Sequence, residues 1–489
     1  MLAVLFYLAC LGLFFTVSLL GPILVALLAN ESAQALRFGF YILVGGFIFG
    51  TPMLAMLGRL RRIPQIGRLL LMFLVWTILP FVAALPFYHM LEMSFVDALF
   101  ESFSSFTTSG GTTANNLQDW PSSILFWRVQ LQWLGGYLIL LTIILILAPI
   151  GVGGLTSSKS SLAVGADLKA SQDRLLIFAI NLGLLYSTIT ALCALGFFLT
   201  GTRAYYAVSL AMAAVSTGGF LPFDTSLDQT IGVGGQAIFA LFLIIGATSI
   251  FWHRMILKGQ WGALLRHRES YSVILLILLV GLVFTVTSIV VSGVQSQTPI
   301  ASLVQGILNA ASLVATSGVQ SQPGYFTLMP LVVVLFIVLV GGSAFSTSGG
   351  LKHYRLGGML VQSWNELDRL VYPNGVRSSH FGSEQFDLEL MKAIWSFFVA
   401  AILVLAFGTI YLASTGVPFE GAITAAVAAF TTAGPVYNAG WSVAVGQDWP
   451  TLSEFADEAK YALIILMLTG RLEIIAILAL FNRQYWRNR

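Results

Sequence analysis

Charged side chains are scarce in this sequence. Asp, Glu, Lys and Arg together account for 9% of its 489 residues, whereas hydrophobic residues account for 57%. A soluble globular domain carries about 25% charged residues. This deficit excludes an ordinary soluble fold and predicts an integral membrane protein, in agreement with a mean hydropathy of +0.88.

The residues that build disulfide frameworks, metal centres and many active sites are also few. The two cysteines, Cys10 and Cys193, both fall within apolar runs, where a lone cysteine behaves as a small hydrophobic residue. The five histidines show no metal-ligand spacing, and the sequence has no Walker loop, no GxSxG elbow and no carboxylate pair within the apolar runs. We therefore expect that the chain is not an enzyme and carries no cofactor.

Apolar runs long enough to cross a bilayer, about 20 residues each, are abundant. We predict ten spans, near residues 2–28, 38–57, 69–88, 124–150, 175–200, 235–257, 271–292, 325–350, 390–414 and 459–482. The first run lacks the basic start and the clear small-residue cleavage site of a secretory signal peptide, so we predict that it is kept as a helix.

Basic residues are unevenly distributed between the loops. Eighteen of the 24 Lys and Arg residues, Lys352 among them, fall on one side of the predicted spans, and the positive-inside rule makes that side cytoplasmic. Both termini are then cytoplasmic. The opposite loops carry nine acidic residues, which would raise the local cation concentration. Ordinary solvated loop charges are the alternative at each of these positions: Glu92, Asp119, Asp224, Asp228, Glu420, Asp448, Glu454, Asp457 and Glu458.

A short stretch rich in glycine and hydroxyl residues recurs four times between apolar runs. The four turns span residues 106–113, 215–220, 314–319 and 430–435. Matching one glycine in each turn gives spacings of 108, 100 and 116 residues between Gly110, Gly218, Gly318 and Gly434. A period of this kind indicates four copies of one structural unit in a single chain.

Each turn follows a segment that is too short to span a membrane and too apolar for an ordinary loop. These segments lie near residues 94–107, 203–216, 299–315 and 418–431. Non-helical backbone is tolerated at membrane depth only where protein or a water-filled path surrounds it. We therefore predict re-entrant pore helices, whose C-terminal ends direct partial negative charge towards a cation.

Glycine after such a helix lets the backbone turn its carbonyl oxygens inward, as an ion selectivity filter requires. The threonines of the turns would add hydroxyl oxygens. Small residues in membrane helices more often serve close packing, and for a single turn that interpretation is the stronger one. Packing does not require four such turns, however, whereas a ring of oxygens built by one chain does. The repeat therefore favours a cation pore.

Three longer motifs narrow this interpretation, at residues 126–136, 341–352 and 470–481. Together they resemble the TrkH/KtrB/HKT superfamily of potassium transporters, and most closely its bacterial TrkH branch. The likeness extends from about residue 60 to the C-terminus. It implies an all-α membrane protein with an accessory helix pair and four helix–pore loop–helix repeats around one central pore. The implied boundaries are 1–60 for the pair and 61–172, 173–268, 269–388 and 389–489 for the repeats.

The resemblance assigns a selectivity filter, with potassium bound at the four matched glycines. Gly110 in the first turn, where sodium-favouring members tend to carry serine, points to potassium. The implied filter residues are Thr108, Gly110, Thr217, Gly218, Ser317, Gly318, Ala433 and Gly434.

A gate is implied at the intramembrane loop 341–350 and at Arg471. The loop holds four glycines and four hydroxyl residues, a composition that favours breaking a helix. A flexible helix end is the alternative for the loop, and a structural arginine paired with a carboxylate or with helix carbonyls is the alternative for Arg471. Glu473 is not readily its partner, because residues i and i+2 point apart on a helix. The implied gate residues are Gly341, Gly342, Ser343, Ser346, Thr347, Gly349, Gly350 and Arg471.

The function implied is potassium uptake through a channel-like pore in a bacterial inner membrane. A sodium- or proton-coupled symporter is the alternative, although such transporters typically show inverted repeats, whereas these repeats run in one direction. A receptor subunit that only binds a cation is a second alternative. The resemblance also implies a homodimer docked on a cytosolic nucleotide-binding regulatory subunit of the TrkA type. No nucleic-acid partner is expected.

Overall fold

The structure, a computed structural model, describes residues 2–58, 63–150, 172–292, 298–372, 380–381, 384–438 and 440–481. Within these residues the fold is helical, apart from short loops and one hairpin in which β1 (His380–Phe381) pairs with β2 (Glu384–Gln385). The predicted all-α membrane fold is therefore confirmed.

The helices follow one another in five groups. The N-terminal group contains α1 (Leu2–Ser18), α2 (Leu20–Leu28) and α3 (Ser32–Met56). Repeat 1 contains α4 (Gln65–Met90), α5 (Phe95–Phe106) and α6 (Ser122–Thr142). Repeat 2 contains α7 (Gln172–Leu199), α8 (Ala204–Ser216), α9 (Leu227–Ala247), α10 (Ile250–Leu257) and α11 (Trp261–Arg266).

The last two groups have the same order of a long helix, a short helix and a broken helix. Repeat 3 contains α12 (Arg268–Ser292), α13 (Pro299–Val314), α14 (Leu331–Val340) and α15 (His353–Val371). Repeat 4 contains α16 (Leu388–Ser414), α17 (Phe419–Phe430), α18 (Gly440–Val445), α19 (Asp457–Leu472) and α20 (Ile474–Phe481).

Eight helical segments of the described chain are long and apolar enough to cross a membrane. The prediction of ten continuous spans was wrong at three places. The run at 325–350 holds a single α-helix, α14, of ten residues, and the run at 235–257 is interrupted between α9 and α10. The run at 459–482 is bent by 98° between α19 and α20.

The four short helices predicted to precede the turns are present as α5, α8, α13 and α17. Side chains cap two of their N-termini: Ser94 accepts from the Asp97 N–H at 3.1 Å, and Thr298, before Pro299, accepts from the Ala301 N–H at 3.3 Å. These caps replace hydrogen bonds that a helix start lacks. The short helices are largely buried, whereas the long helices around them expose large apolar side chains such as Leu43 and Leu199. The short helices therefore lie inside the protein, among long helices with apolar outer faces.

Candidate functional site

The four short helices all lead into the same backbone turn. A threonine at or just after the helix end has positive φ in every repeat: 59° at Thr108, 52° at Thr217, 57° at Thr316 and 57° at Thr432. β-Branched residues rarely adopt this left-handed conformation. The next N–H bonds back into the helix, as from Ser109 to the Ser104 carbonyl at 2.8 Å, a pattern typical of helix C-terminal caps. Because so uncommon a feature recurs four times, the turns share one geometry.

The threonines also fix how the turns correspond to one another. Two residues after the threonine, the chain carries Gly110, Gly318 and Gly434 in repeats 1, 3 and 4. The same position in repeat 2 is Gly219, so Gly218, which we matched from the sequence, stands one residue early. Two adjacent glycines explain the shift, because composition alone does not distinguish them.

The four turns meet one another at their glycines. A Cβ atom added at Gly110 would overlap the backbone of Gly219, and one added at Gly434 would overlap the backbone of Gly111. A Cβ added at Gly219 would lie 2.7 Å from the carbonyl oxygen of Ser317. A side chain at any of these positions would therefore push neighbouring turns apart.

Polar contacts also link the turns directly. The Gly434 N–H donates to the Ser109 carbonyl at 2.6 Å, and the Ser317 hydroxyl donates to the Gly218 carbonyl at 2.8 Å. All of this backbone is buried. The structure thus gathers at one place the eight residues predicted for the filter: Thr108, Gly110, Thr217, Gly218, Ser317, Gly318, Ala433 and Gly434.

Glycines in α6 and α19 allow turns 1 and 4 to pack closely against these two helices. A Cβ atom at Gly135 in α6 would overlap the carbonyl oxygen of Phe106, and one at Gly470 in α19 would overlap that of Phe430. Phe106 and Phe430 are the last residues of α5 and α17. The two motifs that carry these glycines therefore fit against the C-terminal ends of α5 and α17.

The third-repeat loop, residues 341–350, separates α14 from α15. The loop begins at Gly341, where α14 ends because the backbone adopts a φ of 65°. Its backbone bonds to the gap between α9 and α10: the Ser343 N–H donates to the Ala247 carbonyl, and the Ile250 N–H donates to the Phe345 carbonyl, both at 2.8 Å. Backbone groups that two helix ends leave unpaired are thereby satisfied.

The third-repeat loop lies against the turns, at the C-terminal ends of the short helices that precede them. The Thr347 hydroxyl lies 3.2 Å from the Val215 carbonyl of repeat 2. The Gly349 N–H donates to the Thr316 hydroxyl of repeat 3 at 2.6 Å. A Cβ atom at Gly349 would overlap the Thr431 carbonyl of repeat 4. One loop thus contacts three of the four turns.

Arg471 connects the loop to the remaining turn. Its Nε donates to the Thr107 carbonyl at 2.6 Å, and its Nη2 donates to the Thr108 hydroxyl. Its Nη1 donates to the Thr347 carbonyl at 2.8 Å and to the Ser348 carbonyl at 3.3 Å. The side chain is 2% exposed. A guanidinium with this many donors crosslinks turn 1 and the loop in a way that an ammonium would not.

Lys352 is a site residue that the sequence analysis missed. We counted it among the cytoplasmic loop charges, but it is buried, and its φ is 75°. Its ammonium donates to the Ser348 carbonyl and lies 3.5 Å from the Ser346 carbonyl. Glu269 of α12 accepts from the Ala344 N–H at 2.6 Å. No local pattern in the sequence marks either contact, because both depend on how the loop folds back.

Polar side chains inside two pore helices hold the far ends of their turns. Glu101, seven residues before Thr108, accepts from the Thr113 N–H at 2.7 Å. Asn309, seven residues before Thr316, accepts from the Ser321 N–H at 3.2 Å. Both side chains are fully buried. Repeats 1 and 3 therefore share one bracing contact, and the equal spacing in the sequence is the signal that would have found it.

Two acidic residues of the predicted outer face, Asp224 and Asp228, join segments of different repeats. Asp224 accepts from the Leu117 N–H at 2.5 Å, and Asp228 accepts from the Gln322 side-chain amide at 2.7 Å. These two contacts give the carboxylates a structural role. Among the described residues, no group of three or more His, Cys, Asp and Glu side chains could hold a metal ion.

Comparison with known proteins gives one consistent answer. The TrkH family model, described as a cation transport protein, matches residues 70–487. The Trk system potassium uptake protein TrkH of Escherichia coli K12 is 31% identical over 425 residues, covering 86% of this chain and 85% of the relative. TrkH of Vibrio parahaemolyticus is 30% identical over 484 residues, covering 97% of each chain. The crystal structure of the potassium transporter TrkH from V. parahaemolyticus matches with a TM-score of 0.84 at 28% identity, covering 99% of both chains. The chain described here belongs to the TrkH family of cation transport proteins.

Proposed function

We propose that this protein takes up potassium through a pore at the meeting point of its four turns, in the inner membrane of a bacterium. The main observation behind this proposal is that all four turns contain a threonine in the left-handed conformation, followed by glycines that let the four backbones approach one another. The relatives named above are potassium uptake proteins rather than enzymes, which supports transport and potassium as its substrate. Several apolar helices and this kinship support a multi-pass protein. The distribution of Lys and Arg between the loops supports cytoplasmic termini.

The proposed filter consists of the carbonyl and hydroxyl oxygens of the turns. The matched glycines Gly110, Gly219, Gly318 and Gly434 keep the backbones close, so carbonyl oxygens of neighbouring residues can replace the water around a potassium ion. The Gly218 carbonyl, which accepts from the Ser317 hydroxyl, belongs to the same proposed filter. The C-terminal ends of α5, α8, α13 and α17 point at this place and favour a cation.

The proposed gate is the third-repeat loop together with Arg471. Its contacts with turns 2, 3 and 4, and the contacts of Arg471 with turn 1, block the path on the inner side. Conduction requires the loop to leave these positions. The loop residues involved are Gly341, Gly342, Ser343, Ser346, Thr347, Gly349 and Gly350.

A regulatory partner and a second copy of the chain complete the proposal. The relatives are described as parts of a Trk system, which supports an assembly of more than one component. We assign its cytosolic component to a nucleotide-binding subunit of the TrkA type. On α15, the exposed side chains Leu360, Trp364 and Leu367 offer apolar surface for such contacts.

The test is potassium and rubidium flux into proteoliposomes that contain the purified chain, compared with sodium flux. We expect uptake that prefers potassium and that Gly318→Ser weakens, because φ at Gly318 is 72° and a Cβ there would lie 3.0 Å from Pro435. Gly324→Ser is the matched control, since φ is 78° but a Cβ would meet nothing within 4 Å.

Three other results would each contradict part of the proposal. Equal potassium and sodium flux, unaffected by Gly318→Ser, would exclude the filter. Uptake that strictly requires a sodium or proton gradient would favour the coupled symporter, although no turn carries Asp or Glu. Potassium binding without any flux, also in the presence of the cytosolic component, would favour the receptor subunit.

A further inference from the structure

A buried ion pair lies beside turn 1, on the side away from the third-repeat loop. Glu101 of α5 accepts from the Thr112 hydroxyl at 2.5 Å and from the Thr113 N–H at 2.7 Å. Its other carboxylate oxygen lies 3.1 Å from Nε of Arg128 in α6. The two side chains are 0% and 2% exposed. One carboxylate therefore holds both the end of turn 1 and a cationic side chain.

Arg128 also contacts turn 2. Its guanidinium carbon lies 3.6 Å from the ring centroid of Phe220, the residue directly after Gly219. A planar guanidinium stacks on an aromatic face and is attracted by it, most strongly where water is excluded. The Arg128 guanidinium thus contacts both Glu101, which holds the end of turn 1, and Phe220, the first residue after the glycines of turn 2.

Helix α6 also hydrogen-bonds to the backbone of Phe220. Gln132 accepts from the Phe220 N–H at 3.2 Å and donates to the Phe220 carbonyl at 2.9 Å. Arg128 and Gln132 are four residues apart, so both project from one face of α6. That face consequently fixes the ring and the backbone of Phe220 relative to turn 1.

An ion pair this deeply buried is a poor device for stability alone. Removing two charges from water costs several kcal/mol for each ion, and apolar residues of similar volume often stabilise a protein as well. Apolar residues could not replace the role of this pair. The Glu101 carboxylate orders turn 1, the planar Arg128 guanidinium orders turn 2, and the ion pair joins the two turns. Because the pair is neutral as a whole, it achieves this without repelling a cation in the filter.

We propose that Glu101 and Arg128 are positioning residues that fix the spacing between turns 1 and 2 and thereby set the discrimination between potassium and sodium. This inference rests on the proposed function. Discrimination between two ions of equal charge depends on how the ring of oxygens is held around them. Without this brace, the Glu101–Arg128 pair, turn 2 relaxes and the ring of oxygens adapts to the smaller sodium ion.

The experiment compares potassium and sodium permeability in proteoliposomes for Glu101→Gln, Arg128→Met, Arg128→Lys and Phe220→Leu, normalised to folded protein. We expect the potassium-to-sodium ratio to fall about threefold or more in each, which is the lower end of effects transmitted through packed contacts. The lysine variant keeps the charge but loses the flat face. The double variant Arg128→Met/Phe220→Leu should fall no further than either single one, because both remove the same contact.

Arg203→Met is the matched control, since Arg203 precedes α8 on the same side of the protein and is exposed. If Arg128→Met does not fold, Glu101→Gln and Phe220→Leu carry the test. An unchanged ratio in these two variants, whether or not they lower the amount of folded protein, would reduce the pair to a structural role and overturn the proposal.

A second readout separates this inference from the proposed function. Potassium and sodium are titrated against the thermal unfolding of each variant, and the ratio of the half-maximal concentrations is compared with that of the wild-type chain. Absence of flux in the wild type, also in the presence of the cytosolic component, contradicts the proposed function, yet the ratio still reports on the brace. A ratio that the variants leave unchanged contradicts the brace, even where the wild type conducts potassium.

Discussion

Arg355 and Glu473 form a buried ion pair, with 2.8 Å between Nη2 and Oε1, that joins the helix after the third-repeat loop to the bend in the last span. Glu473 has a φ of 61° and lies between α19 and α20. The guanidinium carbon of Arg355 also lies 3.9 Å from the ring centroid of Phe397. Since Arg471 is two residues before the bend, this pair fixes the place from which Arg471 reaches the loop.

Glu473→Gln should therefore destabilise the protein and loosen the position of Arg471. Removing one partner of a buried pair leaves a buried charge and costs about 3 kcal/mol or more. We expect a clearly lower midpoint of thermal unfolding in detergent. Glu366→Gln is the matched control, because the Glu366–Arg369 pair has the same 2.8 Å separation but is 53% and 62% exposed. Exposed pairs contribute about 0–1 kcal/mol. Equal midpoints for both variants would contradict this role of Glu473.

Arg471→Ala should raise potassium flux through the protein alone. The change removes donors to the carbonyls of Thr107 and Thr347, which hold the loop against turn 1. A charge-assisted hydrogen bond contributes roughly 1.5–3 kcal/mol. Losing one from the closed arrangement therefore shifts the balance towards the open arrangement by about tenfold or more. Rubidium flux per folded molecule measures this. A variant that yields less protein with unchanged flux per molecule would make Arg471 a purely structural residue.

Lys352→Met should also favour the open arrangement, for a separate reason. The ammonium of Lys352 occupies the carbonyls of Ser346 and Ser348, and methionine keeps much of the volume without the charge. The loop then loses the cation that holds its backbone folded, and we expect higher rubidium flux than in the wild type. Lys258→Met serves as the control, because Lys258 is exposed. Flux that stays at the wild-type level would mean that Lys352 does not restrain the loop.

The short helices before the turns could be predicted from the sequence almost to the residue. The segments expected near 94–107 and 418–431 correspond to Phe95–Phe106 and Phe419–Phe430. A short apolar segment followed by hydroxyl residues and glycine was sufficient to predict these helices, because the position of each helix end depends on local backbone preference. The prediction that Glu473 does not pair with Arg471 agrees with the structure, in which Glu473 pairs with Arg355. The helix-geometry reason does not apply, because Glu473 lies at the break between α19 and α20 rather than within a helix.

Features set by distant parts of the chain could not be predicted in this way. No proline stands in α19 or at the break after it, where Glu473 pairs with Arg355, 118 residues away. The left-handed threonines contradict local preference, and distant residues contact them, as Arg471 contacts Thr108 and Thr347 contacts Thr217. Gly218 was matched in place of Gly219 because the sequence offers two adjacent glycines. The contact of Arg128 with Phe220 likewise joins two repeats, and no spacing in the sequence specifies it.

Gly470→Ala should disturb turn 4 and lower potassium selectivity. The added Cβ would overlap the carbonyl oxygen of Phe430, and because that atom is backbone, the end of α17 has to move. Overpacking of this kind costs about 1–3 kcal/mol. Gly39→Ala in α3 is the matched control: a Cβ there meets nothing within 4 Å, and alanine favours a helix by about 1 kcal/mol over glycine. The measurements are thermal unfolding and the ratio of potassium to sodium flux. A lower unfolding midpoint with an unchanged ratio would show that α17 shifts without altering the filter, and would separate the position of this helix from the selectivity of the turn that follows it.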